Sequence, residues 1–333
     1  MKIKFVNARV PELIKIEGEK HLTLSNRQLS VTICGNGTPI SYKLGWCIDR
    51  ITLVGNIKKT RNMDGTIRDL DSIMRTMLDT GKAGIEKCEG SGWILRDRQK
   101  ENVAFVQYLD FDDSRGRIDF NPNKLGDFIQ TTLKEFIDLI FDDVKFSRVD
   151  VACDIINIPN EFIDQYQIIK DVKSITYRSR GGNVETRYWG SSSSDKQVRL
   201  YNKKLERKKK GVIVADGIDT WWRFEAQLRG QTTQDWINSV DELLSYFTSP
   251  HFIPLDITGA KKVTLKALIA NPEDIKELDR NSKARYRKLI SRVVENDELT
   301  EEMAVQFNQD VAKLKKELDS WLGYIDVTEN DVE

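Results

Sequence analysis

Carboxylates and bases alternate with apolar residues in a short segment near the middle of the chain. Residues 148–154 read RVDVACD, which has the two-residue period of a β-strand. In a strand, Asp150, Ala152 and Asp154 lie on one face, whereas Cys153 points to the opposite, apolar face. Because Mg²⁺ and Mn²⁺ prefer carboxylate oxygens, Asp150 and Asp154 predict a site for a hard cation. A pair of solvated surface carboxylates is the alternative interpretation of the same pattern.

Three further segments place their polar residues on one face of a strand in the same way. The residues that share a face are Arg223, Glu225, Gln227 and Arg229 in the first, Arg199, Tyr201 and Lys203 in the second, and Arg117, Asp119 and Asn121 in the third. If these strands are neighbours, the shared face holds acids that suit a metal ion beside bases that suit phosphate, which favours phosphate chemistry. A face that is merely exposed to water has the same pattern.

A tyrosine is the candidate nucleophile. Residues 185–190 read ETRYWG and put Tyr188 between a Gly-Gly-Asn turn and a loop rich in glycine and serine. The sequence contains neither a GxSxG nucleophile elbow nor a GK[ST] phosphate-binding loop, and Cys153 is expected on the apolar face. A phenol can attack a phosphodiester when a metal ion polarises the phosphate and cations stabilise the developing charge. A packed aromatic side chain is the alternative role for Tyr188.

The elements that must position these residues follow from the hydrophobic periodicity. Up to residue 250, short strands separated by turns alternate with amphipathic helices, which predicts an α+β fold with a central, mostly antiparallel sheet and flanking helices. After Gly230 the pattern becomes helical, and Thr300 is expected to cap a long last helix. We therefore predict one region over residues 1–250, whose first 45 residues have no assignable pattern, and an α-helical region over residues 251–333.

Charge is segregated along the chain although its sum is zero. The 52 Lys and Arg residues balance 52 Asp and Glu residues, yet residues 199–210 are mostly basic and residues 280–292 contain no acid. The tail after Trp321 is acidic and contains no base. Basic segments of this kind are typical of nucleic-acid binding. A solvated basic helix is the alternative for residues 280–292.

The composition excludes several classes of protein. No apolar run is long enough to span a membrane, and the first residues carry charges throughout, so no secretory signal is expected. The four cysteines are scattered, which predicts a reduced, cytoplasmic protein. The two histidines stand far apart in the sequence, which excludes a His-rich zinc site and a His-x-His metal pair.

Six segments, in the same order and at similar spacing, resemble the Rep initiators of staphylococcal-type rolling-circle plasmids, the Rep_trans group. These segments are residues 120–125 (FNPNKL), 148–154 (RVDVACD), 185–190 (ETRYWG), 199–204 (RLYNKK), 222–225 (WRFE) and 279–287 (DRNSKARYR). The resemblance runs from residue 45 to residue 322. Most endonucleases of the wider superfamily hold their metal with a His-x-His pair. The resemblance therefore implies an HUH-endonuclease-like fold in which carboxylates replace the histidines.

The resemblance implies a site-specific DNA nicking-closing enzyme that initiates plasmid rolling-circle replication. Such a protein binds the double-strand origin and nicks one strand at an extruded hairpin. Tyr188 would form a 5′-phosphotyrosyl link, leave a 3′-OH primer and later rejoin the strand. The resemblance also implies a homodimer, a host superfamily 1 helicase as partner, and Mg²⁺ or Mn²⁺ as cofactor, with no membrane association.

The site residues are predicted by combining the resemblance with strand alternation. The active-site residues are the nucleophile Tyr188, the phosphate or phenolate partners Arg148, Arg223 and Lys203, the metal ligands Asp150, Asp154 and Glu225, and Asp119 as a reserve ligand. The DNA-binding residues are Arg199, Lys208 and Lys209, with a loop predicted at 208–210, and Lys283, Arg285, Arg287 and Lys288 on a predicted helix. Residues 1–250 would form the nicking domain, and residues 251–333 would recognise DNA.

Three alternative functions follow from the same sequence. A conjugative relaxase of the same fold would nick a transfer origin. A non-catalytic regulator would bind the origin without cutting it, which the presence of Tyr188 and the carboxylates disfavours. The third alternative is a structural protein that binds no nucleic acid, in which the basic segments are ordinary solvent-exposed surface.

Overall fold

A computed structural model describes residues 29–31, 40–58, 60–61, 67–68, 70–79, 84–87, 92–96, 101–109, 112–160, 163, 166–168, 172–248, 257–294 and 298–323. The unassigned segment up to residue 28 and the acidic tail from residue 324 lie outside these residues. Part of the first 45 residues is described, and residues 40–45 belong to a long strand of the central sheet.

Strands and helices alternate along the described part of the chain. The strands are β1 (Leu29–Val31), β2 (Ile40–Ile57), β3 (Thr60–Arg61), β4 (Ile67–Arg68), β5 (Gly84–Lys87), β6 (Gly92–Arg96), β7 (Asn102–Leu109), β8 (Asp112–Phe120), β9 (Phe141–Ile156), β10 (Gln167–Ile168), β11 (Ser174–Arg178), β12 (Val184–Trp189), β13 (Lys196–Asn202), β14 (Trp221–Arg229) and β15 (Phe247–Thr248). The helices are α1 (Leu70–Asp79), α2 (Asp127–Ile140), α3 (Lys203–Lys209), α4 (Trp236–Leu244), α5 (Gly259–Ala270), α6 (Arg280–Val294) and α7 (Glu298–Asp319). Short 3₁₀ helices occupy Pro122–Lys124, Gly230–Thr233 and Pro272–Glu277.

One large sheet dominates the described part of the chain. Its strand order is β11-β12-β13-β14-β9-β2-β8-β7-β6-β5, with β1 paired to β2, and the pairings between its described strands are antiparallel. The long strands β2 and β9 form the centre of the sheet, and β11 forms one edge. The prediction of an α+β fold with a mostly antiparallel central sheet and flanking helices is confirmed.

The apolar side of the strand alternation forms the core. Val149, Val151 and Cys153 of β9 are fully buried on one face of the sheet, as their spacing predicts. Helix α7 packs against this core: the indole of Trp46 donates a hydrogen bond to the Met303 carbonyl oxygen at 3.0 Å. Burial of this face leaves the polar residues of the same strands on the opposite face.

The helical C-terminal part contributes to two clusters of buried residues. Helices α5 and α6 enclose a small cluster of their own that includes Leu265 and Tyr286. Helix α7 instead belongs to the main core. The capping role predicted for Thr300 is wrong: α7 already begins at Glu298, and the Thr300 hydroxyl is hydrogen-bonded to that of Tyr166. The functional division at residue 250 stays a prediction. No helix among the described residues is long and apolar enough to cross a bilayer.

Candidate active site

Three of the four predicted charged strands, β13, β14 and β9, are neighbours in the sheet, whereas β2 separates β8 from β9. Strands β12, β13, β14 and β9 lie side by side, and their register pairs Tyr188 with Arg199, Arg199 with Glu225, and Glu225 with Ala152. Because paired residues of adjacent strands point to the same face, these side chains form one row across the sheet. We call the face that carries this row the polar face. The shared charged face that the sequence predicts is confirmed for β9, β13 and β14, and Tyr188 of β12 extends it.

Tyr188 lies at the outer end of the row and is partly exposed. The guanidinium carbon of Arg199 lies 5.8 Å from the centroid of its ring. The preceding residue, Arg187, points to the opposite face, where its Nη1 donates to the Tyr166 carbonyl oxygen at 2.5 Å. The cation beside Tyr188 is therefore its cross-strand partner rather than its sequence neighbour. This cation is placed to stabilise negative charge that develops near the phenol.

Tyr201 shares the polar face but lies in a different environment. Its side chain is buried, and burial raises the pKa of its phenol. Lys203 Nζ donates a hydrogen bond to the Tyr201 hydroxyl at 3.1 Å, and the Arg199 guanidinium carbon lies 3.8 Å from the centroid of the Tyr201 ring. Burial also lowers the pKa of Lys203, and the charge of Arg223 lowers it further. Between the two tyrosines, Tyr188 is the more accessible to a substrate.

Glu225 carries a buried oxygen that has no hydrogen-bond partner. The residue is 2% exposed. Its Oε1 accepts a hydrogen bond from Gln227 Nε2 at 2.6 Å, and Gln227 in turn accepts one from Arg229 Nη2 at 3.0 Å. Its Oε2 accepts none from any described residue, and its closest basic group is Arg199 Nη1 at 3.8 Å. A buried carboxylate oxygen that accepts no hydrogen bond raises the free energy of the folded state. The site is therefore suited to an additional cation.

Asp150 is the second acid at the same place. It is buried and makes a bidentate ion pair with Arg148, at 2.7 Å from Nε and 2.6 Å from Nη2. The register pairs Asp150 with Gln227, so Asp150 and Glu225 are diagonal neighbours across β9 and β14. Burial raises the pKa of the Asp150 carboxyl, the ion pair with Arg148 opposes this, and the charge of Glu225 raises it further.

Asp154 is held by a buried arginine. Arg223 is 1% exposed and donates from Nε and Nη2 to the two carboxylate oxygens of Asp154, both at 2.7 Å. The Trp221 indole donates to the same carboxylate at 2.7 Å, and Arg223 Nη1 donates to Asp49. Burial alone would lower the pKa of Arg223, but the charges of Asp154 and Asp49 raise it well above its ordinary value. Arg223 thus fixes two acids and does not face the solvent.

Asp49 is a polar site residue that the sequence analysis missed. The pairing of β2 with β9 shifts between Ile48 and Arg50, so Asp49 is the extra residue of a β-bulge. The bulge turns its carboxylate toward Arg223 and toward the Asn121 amide, which donates at 3.2 Å. Strand alternation alone gives no signal for such a residue. Asp49 is recognisable in the sequence only as an acid inside an apolar run.

The reserve ligand Asp119 lies farther along the sheet. It belongs to β8, which is separated from β9 by β2. The guanidinium of Arg50 contacts both of its carboxylate oxygens at 2.9 Å, and the Thr52 hydroxyl donates at 2.7 Å. Asp119 therefore belongs to a separate, partly exposed ion pair.

The predicted metal ligands do not form one cluster. In the described part of the chain, no three His, Cys, Asp or Glu side chains are grouped so that they could hold a metal ion. Asp154 is occupied by Arg223 and Trp221. Asp150 is likewise paired with Arg148, so Glu225, with its unpartnered oxygen and with Asp150 as its diagonal neighbour, is the acid whose chemistry best fits a divalent cation.

The predicted DNA-binding residues fall in three places. Arg199 lies in the row of the polar face. Lys208 and Lys209 are exposed on helix α3, so the loop predicted there is wrong. On α6, the prediction of a helix is confirmed. Its basic residues divide into Arg285, Arg287 and Lys288, which are exposed, and Lys283, which is partly buried.

The chain resembles known replication proteins in sequence. The family model described as "Replication initiation factor", Rep_trans, matches residues 144–253, which include most of β9 and all of β12, β13 and β14. A replication initiation protein of Staphylococcus aureus is 30% identical over 278 residues, which cover 82% of this chain and 84% of that protein. A second one from the same organism is 28% identical over 302 residues, which cover 89% of each.

A solved structure was also found by comparison of folds. It is a rolling circle replication initiator protein from Geobacillus stearothermophilus, with a TM-score of 0.39 and 19% sequence identity. The match covers 68% of this chain and 97% of that chain. Family membership is established by the relatives found by sequence, because their similarity extends over most of both chains. The chain belongs to the Rep_trans family of replication initiation proteins.

Proposed function

We propose that this protein initiates plasmid rolling-circle replication by nicking one strand of the double-strand origin through Tyr188, and that it later rejoins the strand. The observation that carries this proposal is the row Tyr188–Arg199–Glu225 on the polar face. The row combines an accessible phenol, a cation and a buried carboxylate with an unpartnered oxygen. Membership of a replication initiation family supports the same conclusion.

In this proposal, the Tyr188 phenolic oxygen attacks the scissile phosphorus. A bond between that oxygen and phosphorus forms, and the bond from phosphorus to the 3′ oxygen breaks. The phenolic proton passes to solvent, and the departing 3′ oxygen takes a proton from solvent and becomes the primer hydroxyl. Because one phosphate ester replaces another, strand closure is the reverse reaction and needs no ATP. Arg199 is placed to stabilise the extra negative charge of the transition state.

The expected metal ion fits the polar face at Glu225 and Asp150. Their buried, adjacent carboxylates include an oxygen without a partner, which is what a hard cation would satisfy. Mg²⁺ or Mn²⁺ bound there would polarise the scissile phosphate. In our proposal Arg148 orients Asp150, while Arg223 keeps Asp154 and Asp49 in place and so acts as a positioning residue. Lys203 orients Tyr201 rather than the nucleophile.

Helices α5 and α6 supply the proposed origin-binding surface. They are joined through the 3₁₀ helix Pro272–Glu277 and packed on their own small core. Arg285, Arg287 and Lys288 project from α6 into solvent, where they can contact the phosphates or base edges of duplex DNA. The homodimer and the host superfamily 1 helicase remain proposed partners.

The test is nicking of a supercoiled plasmid that carries the cognate origin, with Mg²⁺ or Mn²⁺ present. We expect the wild-type chain to give relaxed DNA and a covalent protein–DNA adduct, and Tyr188→Phe to give neither while still binding the origin. Tyr246→Phe is the matched control, because it removes a phenolic hydroxyl bound to Glu242 outside the polar face. If wild type and Tyr188→Phe both bind the origin and neither nicks it, the protein is an origin-binding regulator and the proposal is wrong.

A further inference from the structure

The edge strand β11 exposes two large apolar side chains beside the proposed nucleophile. Tyr177 is 56% exposed and Ile175 is 46% exposed. Every residue of β11 is exposed, although the strand is hydrogen-bonded to β12 along one side. Single exposed apolar residues are ordinary, but two on one face of an edge strand form a patch that requires an explanation.

The register places this patch on the polar face. Ile175 pairs with Tyr188, and Tyr177 pairs with Thr186, so both side chains point to the same side of the sheet as the Tyr188 phenol. The Tyr177 and Tyr188 rings meet edge to face, with their centroids 6.0 Å apart. A nucleotide whose phosphate reaches Tyr188 therefore has a neighbouring base within reach of the Tyr177 ring.

The charge around the patch is positive. Lys173, Arg178 and Arg180 are exposed at the ends of β11. Residues 172–190 contain a single acid, Glu185, and Lys209 neutralises it at 3.0 Å. A polyanion is thus attracted along the whole edge strand, with aromatic and aliphatic surface between its positive ends.

We infer that β11 is a stacking platform for unpaired DNA next to the scissile phosphate. Tyr177 stacks on an unpaired base, Ile175 extends the apolar surface, and Lys173, Arg178 and Arg180 contact the flanking phosphates. Exposed aromatic rings within a basic track are how proteins hold single strands, because every base has a face that can stack. This inference rests on the proposed function and specifies its substrate as an unpaired strand, since a base in a duplex offers no free face.

A second copy of the chain is the competing occupant of an exposed sheet edge. Two antiparallel copies of β11 would bring the same cations, Lys173, Arg178 and Arg180, close together. No acid lies on β11 to compensate for this repulsion. The charge therefore favours DNA over a second β11 strand.

The test measures binding without cleavage, in chains that all carry Tyr188→Phe. The probe is a short fluorescein-labelled oligothymidine, followed by fluorescence anisotropy, with a labelled duplex of the same length in parallel. Tyr177→Ala should weaken binding of the single strand by about tenfold and leave duplex binding unchanged. Tyr177→Phe should retain the parental affinity, because stacking needs the ring and not the hydroxyl. Leu139→Ala is the control, since Leu139 is 48% exposed and lies on α2, outside β11 and outside the proposed DNA-binding residues.

Two results would overturn the inference. One is equal affinity of Tyr177→Ala and its parent for the single strand. The other is a change from dimer to monomer in Tyr177→Ala with unchanged affinity per protomer, which would make β11 a contact between copies. The binding assay does not depend on cleavage. If the protein fails to nick DNA but Tyr177→Ala still weakens single-strand binding, the stacking platform stands and only the nicking proposal is refuted.

Discussion

Arg199 Nη1 lies 3.8 Å from Glu225 Oε2, a buried oxygen that accepts no hydrogen bond from any described residue. The same guanidinium lies beside the Tyr188 ring. One cation therefore connects the proposed nucleophile to the proposed metal ligand, through cross-strand pairs of three adjacent strands. This relationship gives Arg199 a role at the reaction centre in addition to the DNA contact that its basic segment predicts.

Removing the charge of Arg199 should slow nicking far more than it weakens origin binding. We expect Arg199→Gln to lower the rate of adduct formation by about a hundredfold, as for loss of a donor that stabilises transition-state charge. Arg199→Lys should be intermediate, because it keeps the charge but loses the planar contact with Tyr201. Single-turnover nicking and origin-binding titrations check this. Parallel losses of binding and nicking would instead place Arg199 in DNA binding alone.

Glu225 should be required for activity at a cost to stability. Glu225→Gln removes a buried charge with an unpartnered oxygen, so we expect nicking to be lost while the free energy of unfolding rises by about 1 kcal/mol. Mg²⁺ or Mn²⁺ should raise the melting temperature of the wild-type chain and not that of this variant. Asp119→Asn is the control and should keep the metal-dependent rise. A normal metal response in Glu225→Gln would exclude Glu225 as a ligand.

Asp154 should matter chiefly for the fold. Asp154→Asn leaves the buried Arg223 with one carboxylate partner, Asp49, and we expect a loss of about 3 kcal/mol in unfolding free energy, measured by urea denaturation. Asp119→Asn breaks an ion pair whose partner Arg50 is 44% exposed, and it should cost less than about 1 kcal/mol. Equal losses of unfolding free energy in the two variants would show that burial of the Arg223 ion pairs does not add to stability.

The Glu317 carboxyl on α7 should make stability depend on pH. Burial raises its pKa to about 7, although the charges of Lys313 and Lys134 lower it. A raised pKa in the folded state means that ionisation opposes folding: this penalty is absent below the unfolded pKa of about 4.3 and grows as the pH rises to about 7.

Glu317→Gln removes that penalty. The variant should be more stable than the wild-type chain at pH 8, by on the order of 1–3 kcal/mol, and the two should differ little at pH 4.5. Urea unfolding at the two pH values measures this difference. The same stability difference at pH 4.5 and at pH 8 would show that Glu317 does not ionise between these two pH values.

The sequence predicts the polar face well because strand alternation is local. The periods of β9, β13 and β14 separate apolar from polar residues without knowledge of the fold, and the structure brings these strands together. The pairing of acids with bases is not local. Asp154 pairs with Arg223, which lies 69 residues away in the sequence, so alternation could not show that Asp154 is occupied.

Two other differences between the sequence-based prediction and the structure have local causes. Asp49 reaches Arg223 through a β-bulge, which shifts the register without a mark in the residue pattern. Lys203 begins a helix directly after β13 because the Asn202 side chain caps it, accepting from the Leu205 amide at 2.8 Å. That cap, rather than a loop, sets the positions of Lys208 and Lys209.

The most direct test of the central claim is to locate the covalent bond between protein and DNA. The adduct formed with a cognate origin is digested with nuclease and then with trypsin, and the modified peptide is sequenced by mass spectrometry. Cleavage after Arg187 and Lys196 releases residues 188–196, which contain Tyr188 and no other tyrosine. We predict a nucleotide attached through its 5′ phosphate to Tyr188 in this peptide. Attachment at Tyr201, which falls in residues 200–203, or at any other residue would contradict the account.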